Sequence, residues 1–148
     1  MTRYAYGAIR DTPDHRDRLY AALSQPAALP PAVDLSVHLG PVFDQGQLGS
    51  CTANAIAGAL MFCQRAEELP LEIPSRLWLY YQERALEGTI ASDAGAQIRD
   101  GIKVVASLGC PPESAWPYDP ALFAVAPPAV RLRASRDGSR YPVPSARG

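Results

Sequence analysis

The sequence predicts a mostly α fold: three helices with the first of them central, a short N-terminal strand and a disordered basic C-terminal tail. Two observations support this prediction. Apolar residues recur at helical spacing in three segments, and each segment is bounded by residues that favour helix ends. In addition, 47% of the 148 residues are apolar, so one modest domain can bury a core.

The first helix is predicted from Cys51 to about Glu68, with Ser50 as an N-cap whose hydroxyl accepts from first-turn amides. This helix is expected to be the centre of the domain, and Cys51 lies in its first turn. One face of the helix is expected to be buried because its apolar residues share that face: Ala53, Ile56, Ala57, Leu60 and Met61.

The second helix is predicted over residues 76–86, opened by Ser75 and closed by Gly88. Its aromatic residues recur at helical spacing, which is more typical of a core than of a ligand platform. The third helix is predicted to follow an N-cap at Asp93 and to end at Gly109. Its apolar face is expected to consist of Ile98, Ile102 and Val105.

The composition changes on both sides of the helical domain, which is predicted over residues 33–126. Residues 1–32 are expected to form an N-terminal arm that packs on the domain, because a charged turn is followed by prolines that stop any helix. Residues 127–148 are rich in proline and arginine and are predicted to be disordered. A shifted reading frame or a premature stop would also produce a tail of this kind.

The composition also argues against several classes of function. A net charge of −1 argues against nucleic-acid and membrane-surface partners. The N-terminus has no apolar run for a signal peptide or a spanning helix, and three cysteines fit a reducing compartment, so a cytoplasmic location is expected. Two histidines and three scattered cysteines offer no metal-ligand spacing, and neither a metal nor a cofactor is expected.

The stretch from Gln45 to Cys51 carries the clearest chemistry. A thiol in the first turn of a helix lies where unpaired N–H groups and the dipole favour an anion, an environment that lowers a thiol pKa. Gly46 and Gly49 permit a tight turn, across which the Gln45 carboxamide can fold back beside the sulfur. The Cys51 N–H and the Gln45 side chain would then donate to a carbonyl oxygen under attack, as an oxyanion hole.

The other two cysteines and both histidines are expected to lie outside this chemistry. Cys63 and Cys110 are predicted to be inert buried residues, chosen for their volume. His15 and His38 are predicted to be solvated surface residues rather than the base that a nucleophilic thiol needs.

The segment Gln45-Gly46-x-x-Gly49-Ser50-Cys51 resembles the nucleophile segment of papain-like cysteine peptidases, the C1 peptidase family. The resemblance implies that Cys51 is the nucleophile and that Gln45 supplies the oxyanion-hole amide. Thr52 and Leu48 depart from plant and animal members, which carry an aromatic residue and often a disulfide cysteine at those positions. In both respects the segment is similar to bacterial members of the family.

The same resemblance implies the helical, left-hand half of a papain-like α+β fold. Residues 33–36 would then form the strand that leads into the nucleophile loop. In this family the loop before the third helix contributes backbone to the substrate cleft, so the resemblance implies a peptide or protein substrate. The residues expected to line that cleft are Gly49, Ser50, Ala94 and Gly95.

The resemblance stops after residues 116–118, which resemble the Tyr-Pro-Tyr element that leads out of the helical half. The histidine and asparagine of the family belong to a β-rich half and are expected about 130–150 residues after the cysteine. This sequence ends before that distance, and neither His15 nor His38 matches the family pattern. The base is therefore expected from outside this chain, for example from a second chain, and this chain alone is expected to be inactive.

Three functions remain open at this point. The first is a cysteine-type peptidase that hydrolyses peptide bonds, which the family resemblance favours. The second is a non-catalytic, truncated peptidase-like module, which would bind a partner through an apolar face left exposed where the β-rich half would dock. The third is a different thiol enzyme, such as an acyl or amine transferase that uses the same cysteine.

Overall fold

The computed structural model describes residues 6–17 and 30–129. The predicted tail and the proline-broken part of the arm lie largely outside these residues. The described chain is mostly helical, as predicted, and none of its helices is both long enough and apolar enough to cross a bilayer. In chain order the elements are β1 (Ala8–Ile9), a 3-10 turn (Ser36–His38), α1 (Cys51–Ala66), α2 (Arg76–Glu87), β2 (Ala96–Gln97), α3 (Ile98–Leu108) and a second 3-10 turn (Pro120–Leu122).

Helix α1 buries the face that the sequence predicted. Ala53, Ala57 and Met61 are fully buried, Ile56 is nearly so, and Leu60 is partly buried against them. Burial of a large apolar side chain such as Met61 contributes roughly 1.5–3 kcal/mol. Because α1 packs on both α2 and α3, the core lies between the three helices, and the start of α1 is held rigidly against it.

Helix α2 has both of its predicted caps. The Ser75 hydroxyl accepts from the Trp78 N–H at 3.2 Å, and Gly88 adopts a left-handed conformation with φ of 74°. Glycine takes this conformation at the least cost, which is why the helix stops there. Trp78 and Tyr80 are buried, as expected of a core stripe, whereas Tyr81 is half-buried.

Helix α3 ends at Gly109 as predicted, but it begins differently. Asp93 is not its N-cap; that position belongs to Gln97, whose side chain makes no capping bond. The Arg99 N–H in the first turn donates instead to Asp11 Oδ1 at 3.1 Å. The acceptor therefore comes from the N-terminal segment, distant in sequence, and local sequence patterns do not reveal it.

The strand predicted at residues 33–36 is wrong. The Asp34 carboxylate accepts from the Ser36 N–H at 2.8 Å, and a 3-10 turn follows directly. An aspartate that bonds the backbone two residues further on favours a turn over a strand. The N-terminal strand is β1 instead, which pairs in parallel with β2 so that Ala8 lies opposite Ala96.

Candidate active site

Helix α1 begins at Cys51, so the thiol lies in its first turn, and Cys51 is half-buried. No acidic side chain lies in this first turn, so no residue of the turn itself offsets the positive end of the helix dipole. Ser50 occupies the N-cap position, but its hydroxyl makes no capping bond. The predicted capping role of Ser50 is therefore wrong. Its φ of −92° and ψ of 25° also lie outside the extended region typical of side-chain caps.

The Ser50 hydroxyl is bonded to residues other than the first-turn amides. Its Oγ lies 2.6 Å from the Tyr118 hydroxyl and accepts from Asn54 Nδ2 at 3.1 Å. Asn54 Nδ2 also donates to the Ser50 carbonyl at 2.9 Å. Ser50 is fully buried, and its side chain is committed to a partner 68 residues away in the sequence. This long-range bond explains why the local capping prediction fails.

Gln45 lies on the other side of a tight turn from Cys51. Its Nε2 donates to the Leu48 carbonyl at 3.0 Å, which folds the carboxamide back across the turn. Gly46 has a left-handed φ of 62°, so the turn requires glycine at that position. The Tyr118 hydroxyl donates to the Gln45 carbonyl at 3.0 Å, so the turn is bonded to a residue 73 positions later in the sequence.

An arginine lies behind this turn. The Arg76 guanidinium is stacked between the rings of Phe43 and Tyr118, at 4.3 and 4.2 Å from their centroids. It donates to Asn54 Oδ1 at 3.2 Å and forms an ion pair with Glu113 at 2.7 Å. We call the bonded set the polar network, and its members are Ser50, Asn54, Arg76, Glu113 and Tyr118. The polar network was not predicted from the sequence. One signal of it is Arg76, a basic residue in the first turn of α2, where the helix dipole disfavours a positive charge.

Asp93 joins the nucleophile segment to the loop before α3. Its two carboxylate oxygens each accept from the Gly49 N–H at 3.0 Å, and the Tyr80 hydroxyl donates to the same carboxylate. The Gly95 N–H donates to the Tyr80 hydroxyl at 3.1 Å. Burial, reinforced by this bond to Asp93, raises the pKa of Tyr80. Gly49 and Gly95, both predicted to line the cleft, are thus linked through two side chains.

Three glycines bring the N-terminal segment against the same place. The Gly7 carbonyl accepts from the Ala96 N–H at 2.9 Å. A Cβ on Gly7 would lie 1.8 Å from the Gly49 carbonyl oxygen, and one on Gly95 would lie 1.9 Å from the Gly7 oxygen. Since real Cβ contacts are never so short, only glycine fits at these two positions. Ala94, also predicted to line the cleft, is exposed beside them.

Thr52, directly after Cys51, bonds a buried carboxyl group. Its hydroxyl donates to Glu83 Oε2 at 2.8 Å, and both side chains are almost completely buried. Among the described residues, Glu83 Oε1 has no hydrogen-bond partner. Burial raises the pKa of Glu83 to about 8, although the bond from Thr52 acts in the opposite direction. The first turn of α1 is therefore bonded, through Thr52, to a Glu83 carboxyl group that is protonated at neutral pH.

The remaining cysteines differ from each other. Cys110 is buried, as predicted, and burial raises the pKa of its thiol to about 12, so it is inert. Cys63 is exposed, so the prediction that it is buried is wrong. His15 is exposed with its ring 3.7 Å from Asp14, and His38 is exposed with its ring edge-on to Phe62.

Cys63 is exposed because no part of the described chain (residues 6–17 and 30–129) packs over the α1 face that carries it. Together with one face of α3 it lines a groove of about 380 Å³, which we call the α1–α3 groove. Ile102 in this groove is 56% exposed, although it belongs to the predicted apolar face of α3. The lining is apolar throughout: Ala55, Ile56, Ala59, Leu60, Cys63, Ile98, Ile102 and Val105.

Comparison with known proteins identifies cysteine-peptidase relatives. An uncharacterised peptidase C1-like protein of Acanthamoeba polyphaga mimivirus is 52% identical over 86 residues, which are 57% of this chain and 28% of that protein. The crystal structure of xylellain, a cysteine protease from Xylella fastidiosa, superposes on 99% of this chain with a TM-score of 0.67 and 40% identity. The chain spans 52% of the xylellain chain. No family model matches.

Proposed function

We propose that this chain, which is similar to cysteine peptidases, supplies the nucleophile segment of a papain-like peptidase. In the proposed reaction the Cys51 thiolate adds to the carbonyl carbon of a peptide bond. The Cys51 N–H and the Gln45 side chain donate to the resulting oxyanion. Ala94 is exposed and would lie along the peptide, whereas Gly49, Ser50 and Gly95 are buried and would support that edge from below.

The observation that carries this proposal is the position of Cys51 at the start of α1, directly after the folded Gln45 turn and with no acid in the first turn. A helix N-terminus of this kind stabilises an anion by up to about 2 kcal/mol in partly buried geometry. A carboxamide nitrogen has two hydrogens. Gln45 Nε2 gives one to the Leu48 carbonyl, which holds the carboxamide on the side of the turn that the proposed role requires.

A thiol nucleophile of this type also needs a base held at hydrogen-bond distance. His15 and His38 are the two histidines of the sequence, and both lie exposed beside other side chains. The proposal therefore assigns the base to a histidine of a second, β-rich half, with this chain as the helical half. The share of xylellain that the chain spans, 52%, supports that division.

The experiment compares two thiols of the same helix. Cys63 is exposed and close to the C-terminal end of α1, whereas Cys51 is half-buried at its N-terminal end. We expect iodoacetamide to alkylate Cys51 several-fold faster than Cys63 at pH 7, because the unpaired N–H groups and the positive end of the helix dipole lie at the first position. Peptide mapping with isotope-coded reagent measures both rates in one sample. Faster alkylation of Cys63 at every pH between 6 and 9 would contradict the proposal.

The α1–α3 groove favours a second candidate function, a non-catalytic module that binds a partner through apolar contacts. An apolar groove of about 380 Å³ with a half-exposed isoleucine is typical of an interaction surface. The alkylation rate of Cys51 and the association through the groove together distinguish the two candidates, because the module needs no reactive thiol. Slow alkylation of Cys51, combined with tight association through the groove, would favour the module over the peptidase.

A further inference from the structure

We propose that Tyr118 is a positioning residue for the oxyanion hole: its hydroxyl fixes the backbone of Gln45 relative to the start of α1. This inference rests on the proposed function, since it assigns a role around the same cysteine. Tyr118 lies 73 residues after Gln45 in the sequence and beyond α3, so the loop is held by a part of the chain that carries no other site residue.

The hydrogen bonds around Tyr118 have one consistent direction. A phenol has a single hydrogen, and the Tyr118 hydroxyl donates it to the Gln45 carbonyl at 3.0 Å. The Ser50 hydroxyl must then be the donor in its 2.6 Å contact with Tyr118. Ser50 Oγ in turn accepts from Asn54 Nδ2 at 3.1 Å. A directed chain therefore runs from Asn54 through Ser50 and Tyr118 to Gln45, and each bond polarises the next.

The ring of Tyr118 is held independently of its hydroxyl. The Arg76 guanidinium lies 4.2 Å from its centroid and is itself fixed by the ion pair with Glu113. Burial also raises the pKa of Tyr118, so the hydroxyl keeps its hydrogen throughout the neutral range. Replacing Tyr118 by phenylalanine would therefore remove two hydrogen bonds while leaving the stacking on Arg76 in place.

The two hydrogen bonds of the Tyr118 hydroxyl hold the two ends of the nucleophile loop. One holds Gln45, at the start of the nucleophile loop, and the other holds Ser50, at its end. Together they set the distance between the Gln45 carboxamide and the Cys51 N–H, the two donors of the proposed oxyanion hole. Oxyanion stabilisation is sensitive to donor position, and a misplacement of about 1 Å can cost on the order of 100-fold.

The test compares two electrophiles that differ in whether an oxyanion forms. A peptide aldehyde reacts when the sulfur adds to its carbonyl carbon. The sulfur gives its proton to water, the C=O π pair moves to oxygen, and the oxygen takes one proton back from water to give a hemithioacetal. Iodoacetamide forms its C–S bond by displacing iodide, and no oxyanion develops. Only the first reaction depends on the placement of Gln45, while both depend on the nucleophilicity of Cys51.

We expect Tyr118→Phe to weaken hemithioacetal formation about tenfold, measured by titration with a peptide aldehyde, because the donor is partly misplaced. Its alkylation rate with iodoacetamide should stay within about twofold of the original chain, because the sulfur and the helix dipole are unchanged. Tyr81→Phe, on the half-buried face of α2, is the matched control and should change neither quantity. An unchanged aldehyde affinity in Tyr118→Phe, or an equal loss with both reagents, would overturn the positioning role.

A double-mutant cycle with Gln45→Ala separates this inference from the proposed function. If Tyr118 acts through Gln45, the double variant should bind the aldehyde no more weakly than Gln45→Ala alone. Additive losses would show that Tyr118 acts by another route and would overturn the inference while leaving the oxyanion hole intact. If Gln45→Ala has no effect on aldehyde binding, the assignment of Gln45 is wrong and the proposed function fails first.

Discussion

The two ends of α1 carry cysteines in opposite surroundings. Near the start of α1, side chains from four separate parts of the sequence meet in the polar network and in the Asp93–Tyr80 link. Around Cys63, the helix shows an uncovered apolar surface, with the α1–α3 groove beside it. The contrast shows that long-range hydrogen bonds fix the geometry at the start of the helix. The face of the helix that carries Cys63 instead lines an apolar groove.

The largest expected effect concerns the buried carboxyl group beneath the first turn of α1. The folded state raises the pKa of Glu83 from 4.5 to about 8, so folding binds its proton more tightly. The stability that this proton provides is full below about pH 4.5 and is lost as the pH rises towards 8. The free energy of unfolding should fall by on the order of 4 kcal/mol over this range. Glu83→Gln mimics the protonated form, so this pH-dependent decrease should be absent in that variant.

Urea unfolding at pH 5 and pH 8 measures this difference in the free energy of unfolding. Glu67→Gln, exposed just after α1, is the control and should keep the pH dependence of the original chain. A Glu83→Gln variant that loses as much stability between the two pH values as the original chain would show that Glu83 is not the group that titrates.

The second effect concerns the ion pair within the polar network. Arg76→Met should lower the free energy of unfolding by about 3 kcal/mol, because it leaves the largely buried Glu113 carboxylate without its cationic partner and Asn54 Oδ1 without its donor. The bond from the residue 76 N–H to Glu113 remains. Arg16→Met removes the exposed ion pair with Asp14 and should change stability little. Chemical denaturation of both variants makes the comparison. Equal losses would contradict the distinction between a buried and a solvated pair.

The smallest expected effect lies at the groove. Ile102→Ser should change the free energy of unfolding by less than about 0.5 kcal/mol, because its side chain is 56% exposed. It should nevertheless reduce the binding of a hydrophobic dye, measured by fluorescence. Val42→Ser removes an apolar side chain that is 99% exposed and lies outside the groove, so it should leave dye binding unchanged. A similar reduction in both variants would mean that the dye does not report on the groove.

The parts of the fold that depend on local sequence were predictable. The positions of α1, α2 and α3 follow from apolar spacing and from the glycines at 88 and 109, and the structure confirms them. Ser50 and Asp93 were both predicted to be N-caps because their residue types favour that role. Each is instead bonded to a group more than 40 positions away, Tyr118 and Gly49 respectively. Such pairings depend on tertiary packing, which periodicity and capping preference do not contain.

The candidate site also contains residues that the local sequence predicts and residues that it does not. Cys51 and Gln45 could be predicted as candidates, and they stay predictions, because one short segment contains both together with the glycine that its turn requires. Tyr118 and Arg76 could not, since they come from other elements and bond to backbone and side chains that carry no motif. Cys63 was predicted to be buried because an alanine-rich helix usually buries its small residues. Its exposure depends on what covers the helix, which sequence spacing leaves undetermined.

The meeting of Gly7, Gly49 and Gly95 has a consequence for any peptide that approaches Cys51. The Ala96 N–H already bonds the Gly7 carbonyl, so an extended chain that pairs with the same edge must first displace β1. Its apparent affinity is then its intrinsic affinity multiplied by the fraction of molecules in which that edge is vacant. For a peptide bound as proposed, the N-terminal segment would act as a competitor whose local concentration is fixed by covalent attachment, and dilution would not remove it.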